Sequence, residues 1–189
     1  MERVLAESAG TVSSLDGILP ELGEAIELVS ERLRAGGCLI VFGNGGSAAQ
    51  AQHLAAELVG RFEQERRSIP ALALTTDPSI VTAVGNDYGF EEIFARQVRA
   101  LARAGDVALA ISTSGNSPNV LRALDAAREK NLSAIGLTGR NGGRMRDKVD
   151  ICLCVPSDST PRIQEAHLVI SHILCSRIET SVISGLSRE

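Results

Sequence analysis

The sequence predicts an α/β fold in which helices flank a mostly parallel sheet. Five short apolar runs are separated by segments whose apolar residues recur at helical spacing, and this alternation is typical of βαβ units. The runs cover residues 38–42, 71–74, 107–111, 134–137 and 151–155. A chain of 189 residues is long enough for one domain with a well-buried core.

A helical segment precedes the first run. Its apolar residues recur at helical spacing up to about residue 36, where Gly36 and Gly37 end the pattern. These apolar positions are Leu15, Ile18, Leu19, Leu22, Ile26 and Leu33. We therefore expect residues 1–36 to form an N-terminal helical part of the same domain, and residues 37–189 to hold the sheet.

Helix starts are expected directly after the first and third runs. Ser47, with Gln50 three residues later, matches a capping box, and Ser117 followed by Pro118 supplies an N-cap and a first-turn proline. A last helix is expected from about residue 162 to residue 184. The turns before the helices that follow the first and third runs then lie at the carboxyl ends of strands, where open α/β sheets bind ligands.

Both of these turns are rich in glycine and hydroxyl side chains. Residues 43–47 read Gly-Asn-Gly-Gly-Ser, and residues 112–117 read Ser-Thr-Ser-Gly-Asn-Ser. Small residues at a helix start let an anion approach the backbone N–H groups, so the pair predicts a phosphorylated small-molecule ligand. Tight strand-to-helix turns alone would also explain this composition.

Gly43, Gly45 and Ala48 loosely fit a dinucleotide fingerprint, with Asp77 as a possible ribose partner.

Composition excludes several classes of function. The net charge of −4 and the aromatic content of 3% argue against a nucleic-acid-binding surface. The sequence has neither a long apolar run nor a basic, apolar N-terminal leader, so we expect no membrane association and a cytoplasmic location. The four cysteines lie within apolar runs without C-x-x-C spacing, which predicts buried free thiols at Cys38, Cys152, Cys154 and Cys175.

Two predicted helices each present polar side chains on one face. His53, Glu57 and Arg61 recur every fourth residue, and Gln164 and His172 are eight residues apart in the last helix. Two imidazoles, a carboxylate and an amide could hold a borderline divalent ion such as zinc, although the spacing is not that of H-E-x-x-H. The alternative is that these are solvated or internally bonded side chains.

Other polar residues predict no site from spacing alone. We interpret His167 as an outer or surface residue and the pair Arg66 and Arg67 as solvated. Asn86 and Asp87 read as a polar loop before a further helix.

Five separated motifs resemble those of one enzyme family. They are residues 43–47, residues 52–58 (Gln-His-Leu-Ala-Ala-Glu-Leu), residues 85–90 (Gly-Asn-Asp-Tyr-Gly-Phe), residues 112–117 and residues 162–165 (Arg-Ile-Gln-Glu). In order and over nearly the whole chain, they resemble the sedoheptulose 7-phosphate isomerase, or phosphoheptose isomerase, family of the sugar isomerase (SIS) fold. The resemblance implies a three-layer αβα sandwich around a five-stranded sheet.

The resemblance also implies an activity and a set of site residues. It implies a homotetramer with active sites shared between subunits, to which residues 1–36 contribute contacts, and the product D-glycero-D-manno-heptose 7-phosphate, a precursor of envelope heptose. The positions that match substrate-binding residues of the family are Asn44, Gly45, Gly46, Asn86, Asp87, Ser112, Thr113, Ser114 and Ser117. Those that match its zinc ligands are His53, Glu57, Gln164 and His172. We also assign substrate contacts to Ser47, Glu57, Arg61 and Gln164.

Glu57 and His172 match the acid and base proposed for the family. We expect Glu57 to move the carbon-bound proton and His172 to serve the sugar oxygens, with zinc as an alternative role for Glu57. One departure is Pro161, where some members carry aspartate. The alternatives are a non-catalytic SIS sugar-phosphate sensor or an adaptor to the replication initiator, and a nicotinamide-dependent reductase. The adaptor relative lacks both catalytic residues, and this chain keeps them.

Overall fold

The fold is a three-layer sandwich built on a parallel sheet. A computed structural model describes residues 1–186, and within them five strands form one sheet in the order β2-β1-β3-β4-β5, with every neighbouring pair parallel. The strands are β1 (Leu39–Gly43), β2 (Ala71–Ala73), β3 (Val107–Ser112), β4 (Ser133–Gly139) and β5 (Ile151–Val155). The predicted α/β class and all five apolar runs are confirmed.

Helices cover both faces of the sheet. They are α1 (Glu2–Ser13), α2 (Leu19–Arg34), α3 (Gly46–Val59), α4 (Pro78–Tyr88), α5 (Ala95–Leu101), α6 (Pro118–Glu129) and α7 (Thr160–Leu186). Short 3₁₀ turns cover Ser14–Ile18, Phe90–Glu92 and Gly143–Lys148. Apolar residues of α2, α3 and α7 form the core on one face, and those of α5 and α6 form the core on the other.

Strand β1 shows why its apolar run is continuous. Leu39 and Val41 belong to the core beside α3 and α7, whereas Ile40 and Phe42 belong to the opposite core. Successive side chains of a strand point to opposite faces, so a strand covered on both faces needs apolar residues at every position. This explains why the apolar run at residues 38–42 is continuous rather than alternating.

The order of the strands fixes where a ligand can bind. From β1 the chain crosses to β2 on one side, and it then returns to β3 on the other side. Gly43 is paired with Ile111 in the register of β1 and β3, so the turns that follow these strands begin next to each other. In open α/β sheets this reversal point is the usual ligand crevice.

One predicted helix cap is wrong and one is confirmed. Gly45, with φ +55°, is the N-cap of α3 and Ser47 lies in its first turn, so the capping box at Ser47 was wrong. The side chain of Gln50 instead donates to the backbone oxygen of Gln164 at 2.7 Å. Ser117 is the N-cap residue of α6 as predicted, but its hydroxyl contacts the Ser112 hydroxyl at 3.0 Å.

Helix α2 belongs to the same core as the sheet, whereas α1 has no buried residue. Leu22, Val29 and Leu33 of α2 are buried, and α1 and α2 both pack against α7. Across residues 1–186, no helix has both the length and the apolar character needed to cross a membrane.

Candidate active site

The turns after β1 and β3 are joined by a pair of side-chain amides. Asn44 donates to Asn119 Oδ1 at 2.8 Å, and Asn119 donates back to Asn44 Oδ1 at 2.8 Å. Asn119 is buried in the first turn of α6, so its amide has a fixed orientation. This reciprocal bond fixes the distance between the two predicted phosphate-binding turns.

The turn after β3 presents hydroxyl groups on a braced backbone. The hydroxyls of Ser112 and Ser117 are in contact, and the exposed Ser114 accepts a bond from Asn116 N at 3.2 Å. Gly115 has φ +64°, and a Cβ there would lie 1.9 Å from the oxygen of Gly142. The loop after β4 therefore packs directly under this turn, and only glycine permits that approach.

The polar faces of α3 and α7 meet beyond the turns. His53 Nε2 lies 3.1 Å from His172 Nε2 and 3.6 Å from Glu57 Oε1. The Phe62 ring packs against His172 with the ring centroids 5.5 Å apart. The side chains of His53 and Glu57 are 42% and 24% exposed, so this cluster remains open to a ligand. Two helices predicted separately thus contribute to one cluster.

Gln164 lies at the other end of the same helix pair. A Cβ on Gly46 would lie 2.5 Å from Gln164 Nε2, so the amide of Gln164 sits against the first turn of α3. Gln164 and His172 are eight residues apart, which is about 12 Å along α7. The structure therefore brings His53, Glu57 and His172 together and places Gln164 beside the glycine-rich turn that follows β1.

The side-chain nitrogen and oxygen atoms of the predicted zinc ligands are of the types that zinc binds, and the two histidine nitrogens also have a suitable spacing. Two nitrogens bound to tetrahedral zinc with bonds of about 2.0–2.1 Å are about 3.4 Å apart, which is near the separation of the two imidazole nitrogens. Within residues 1–186, no three His, Cys, Asp or Glu side chains converge as a ready-made metal cluster. Glu57 is near enough to the two histidines to supply a third donor, whereas Gln164, about two helical turns away along α7, stays a predicted ligand.

Comparisons with known proteins agree with this geometry. The model of the SIS domain family matches residues 12–139. The phosphoheptose isomerase of Rhodospirillum rubrum is 56% identical over 165 residues, which are 87% of this chain and 88% of that protein. The chain belongs to the phosphoheptose isomerase family. As a member of this family it is an isomerase.

Solved structures of the phosphoheptose isomerase family share the whole fold. The enzyme from Neisseria gonorrhoeae is 45% identical with a TM-score of 0.89, and the match covers 95% of this chain and 98% of that one. The enzyme from Francisella tularensis is 40% identical with a TM-score of 0.92, covering 95% and 96% of the two chains. The predicted SIS fold is confirmed.

The structure places several of the predicted polar residues in a local setting different from the one expected. Helix α3 ends at Val59, so Arg61 is not on the face of His53 and Glu57; it is exposed and 4.0 Å from Glu65. Asn86 and Asp87 form the last turn of α4 rather than a loop, with Asn86 Nδ2 donating to Asp87 Oδ1 at 2.8 Å. Asp77 caps that helix by accepting two backbone N–H bonds, a structural role that replaces the suggested ribose contact.

A buried ion pair next to the cluster was missed by the sequence analysis. Arg66, predicted to be solvated, donates to Glu179 at 3.0 Å, and the two side chains are 1% and 0% exposed. Glu179 also accepts from the backbone N–H groups of residues 62, 63 and 64 at 3.1, 2.9 and 2.9 Å. Burial alone would raise the pKa of Glu179, but these donors and Arg66 outweigh it and hold the pKa below its usual range.

The same ion pair fixes the end of α3. Arg66 donates to the backbone oxygens of Glu57 and Leu58, both at 2.8 Å, and of Gly60 at 2.9 Å. The bonds of Glu179 hold the segment that carries Phe62, whose ring packs on His172. The Arg66–Glu179 ion pair thus holds the backbone of Glu57 and the Phe62 ring that packs on His172. The sequence feature that could have indicated this buried pair is a single glutamate on the apolar face of α7, between the buried Ile178 and Val182.

His167 was also misplaced by the sequence analysis. It is fully buried, and its Nε2 bonds with the oxygen of Thr138 in β4 at 3.1 Å. Burial lowers the pKa of His167 to about 4, against the opposing effect of that bond. Its role is to fasten α7 to the sheet. The cysteines are free as predicted, although only Cys175 is fully buried.

Proposed function

We propose that this isomerase converts sedoheptulose 7-phosphate to D-glycero-D-manno-heptose 7-phosphate, a precursor of envelope heptose, in the cytoplasm. The observation that carries the proposal is the meeting of Glu57, His53 and His172 on helices whose starts adjoin the two hydroxyl- and glycine-rich turns. A non-catalytic sensor or adaptor would not need a carboxylate beside two imidazoles. The relatives named phosphoheptose isomerase support a phosphorylated heptose as the substrate.

The phosphate end of the sugar is assigned to the turns. The hydroxyls of Ser112, Thr113, Ser114 and Ser117 suit the oxygens of a phosphate monoester, and the start of α6 favours an anion there. The remaining substrate contacts in this proposal come from Asn44, Gly45, Gly46, Ser47, Glu57, Arg61, Asn86, Asp87 and Gln164. Ser47 is buried and its N–H already donates to Asn44 O at 2.9 Å, so its part is to shape the turn.

The reaction moves a carbonyl group from C2 to C1. A base removes the C1 proton to give an enediol, the proton returns to C2, and O1 and O2 exchange a proton. In this proposal the Glu57 carboxylate carries the proton between the carbons, and His172 transfers the proton between the oxygens. The tilted contact between the Phe62 and His172 rings limits the movement of the imidazole, which favours a defined proton path.

Zinc is the proposed cofactor, with His53, Glu57, Gln164 and His172 as its ligands. Their nitrogen and oxygen donors match the preferences of zinc, and the His53–His172 spacing is near that of bound imidazoles. When bound, zinc would polarise the sugar carbonyl as a Lewis acid.

We also propose a homotetramer with active sites shared between subunits. Arg61, Asn86 and Asp87 are exposed, which leaves them available to a site completed by another subunit. Val4, Leu5 and Leu19 of the N-terminal helices are large apolar side chains that are 46%, 71% and 51% exposed. Subunit contacts through this segment would cover them.

The decisive test is the variant Glu57→Gln, assayed with sedoheptulose 7-phosphate by following the aldose product with NMR. We expect turnover to fall by about 10²–10⁴-fold, while affinity for the sugar phosphate changes little. Glu24→Gln, an exposed change of the same type on α2, is the matched control and should retain full activity. Retained turnover in Glu57→Gln would remove Glu57 from the mechanism.

A second arm of the assay tests the metal and the substrate. Incubation with a chelator should remove activity, and added zinc should restore it. Ketose phosphates with five and six carbons serve as comparison substrates, and a preference for either of them over the seven-carbon sugar would contradict the proposed substrate.

A further inference from the structure

Two thiols lie side by side on the edge strand β5. Cys152 and Cys154 are two residues apart, so they share one face of the strand, and their sulfur atoms are 3.5 Å apart. Leu153 and Val155 point to the opposite face and are buried in the core with α7. Both thiols are partly exposed. The edge of the sheet therefore presents a dithiol outside the proposed active site.

A bare segment of backbone lies over the two sulfur atoms. Gly142 has φ +91°, and a Cβ at this position would lie 3.2 Å from the sulfur of Cys152 and 3.2 Å from that of Cys154. The position that a side chain would occupy is thus equidistant from both sulfurs. The same position is 2.9 Å from Arg146 Cβ, so the loop covers the two sulfurs closely, and an atom bound to both of them from this side must move the loop.

The electrostatics favour reaction at this pair over the other thiols. The bond from Cys152, helped by the positive charge of Arg146, lowers the pKa of Cys154 to about 7 against the opposing effects of burial and Glu21. Burial raises the pKa of Cys38 to about 11 and that of Cys175 to about 12. The same bond, together with burial, raises the pKa of Cys152, so Cys154 is the thiol of the pair that ionises first.

The spacing of the two cysteines limits which kind of ligand they can bind. Residues i and i+2 of a strand are about 6.6–6.8 Å apart at Cα, the upper limit for a disulfide, which favours the free dithiol. Zinc in a structural site takes four ligands, and among residues 1–186 no third His, Cys, Asp or Glu joins the two thiols to form a metal group. A soft centre that needs only two sulfurs fits the site better.

We propose that Cys152 and Cys154 form a chelating site for a trivalent arsenical that carries one organic substituent. The arsenic–oxygen double bond is replaced by two arsenic–sulfur bonds, and the two thiol protons leave with the oxygen as one water molecule. Arsenic stays trivalent, so no oxidant or reductant is required. Two sulfurs and the organic group complete the pyramidal coordination of arsenic.

A ligand bound to this dithiol site would also move the turn at residues 112–117, because Gly142 lies between the two. An arsenic atom beneath Gly142 displaces the loop whose carbonyl packs against Gly115, in the turn that carries Ser114. We therefore expect the loaded protein to have a KM several-fold higher with a similar kcat. This second effect rests on the proposed function, whereas adduct formation is measured without any activity assay, so the two can fail separately.

The test uses phenylarsine oxide at an equimolar dose on the full chain, followed by intact mass measurement and peptide mapping. One adduct per chain is expected, equal to the reagent less one water, bridging the two cysteines and removed by 2,3-dimercaptopropanol. Cys152→Ser and Cys154→Ser should each lose the stable adduct, while Cys38→Ser, the matched control, retains it.

Three results would overturn the proposed dithiol site. They are the absence of a stable adduct, an adduct mapped to Cys38 or Cys175, and an adduct that persists in Cys152→Ser. Mapping on the unmodified sequence does not depend on how the variants fold. An adduct at the pair with an unchanged KM would refute the link through Gly142.

Discussion

Replacement of Glu179 by alanine tests how strongly the buried ion pair holds the site together. The change removes the acceptor of three backbone N–H groups and leaves the Arg66 guanidinium, 1% exposed, without its counter-charge. Loss of one partner of a buried pair costs about 3–5 kcal/mol. For a chain of this length, that corresponds to a fall in Tm of about 6–20 °C.

Urea unfolding followed by circular dichroism measures this change. Glu65→Ala is the matched control, because its exposed contact with Arg61 at 4.0 Å should contribute less than about 1 kcal/mol. The double variant Arg66→Met/Glu179→Leu should recover only the part of the loss that comes from the unpaired guanidinium, because the three backbone N–H groups remain without an acceptor. A cost below about 1 kcal/mol for Glu179→Ala would refute the reasoning, because the pair would then behave like an exposed one.

Three further predictions concern the site and its support. Gly46→Ala should lower kcat/KM about tenfold with little loss of stability, because the new Cβ, 2.5 Å from Gln164 Nε2, displaces only the end of that side chain; steady-state kinetics beside thermal melting checks this. Asn119→Ala should cost about 1–3 kcal/mol and raise KM, since it leaves the Asn44 amide without its partner; unchanged KM would contradict a linked pair of turns. His167 is neutral in the fold to about pH 4, so its contribution is complete above pH 6.5 and falls between pH 6.5 and 4 by about 1.4 kcal/mol per pH unit, and the unfolding free energy of His167→Gln should show a correspondingly flatter pH dependence.

The sequence predicted the sheet well because burial on both faces leaves a clear pattern. The run at residues 151–155 coincides with β5, and the run at 38–42 differs from β1 by one residue at each end. Asn86 and Asp87 were misread because both residue types favour turns. In the structure, α4 begins with the capping residue Asp77 and continues through them to Gly89, which has φ +89°.

The site was predicted only as far as helical spacing reaches. The spacing of His53 and Glu57 gave their shared face. Gly60 ends α3 before Arg61, and this stop signal was not used, although Gly36 and Gly37 were used in that way. Arg66 and Glu179 are 113 residues apart in the chain, so their pairing depends on how α7 docks. Local propensity carries no information on such a distant contact.

Helix α7 holds three separate anchor points along one rod. Gln164 meets the start of α3, His172 meets its middle, and Glu179 binds the segment beyond its end. A shift of α7 by one residue would turn each of these side chains by about 100°, so the three contacts change together. The arrangement of the proposed active site therefore depends on one interface, that between α3 and α7. A substitution that shifts this interface is expected to change both catalytic activity and the free energy of unfolding.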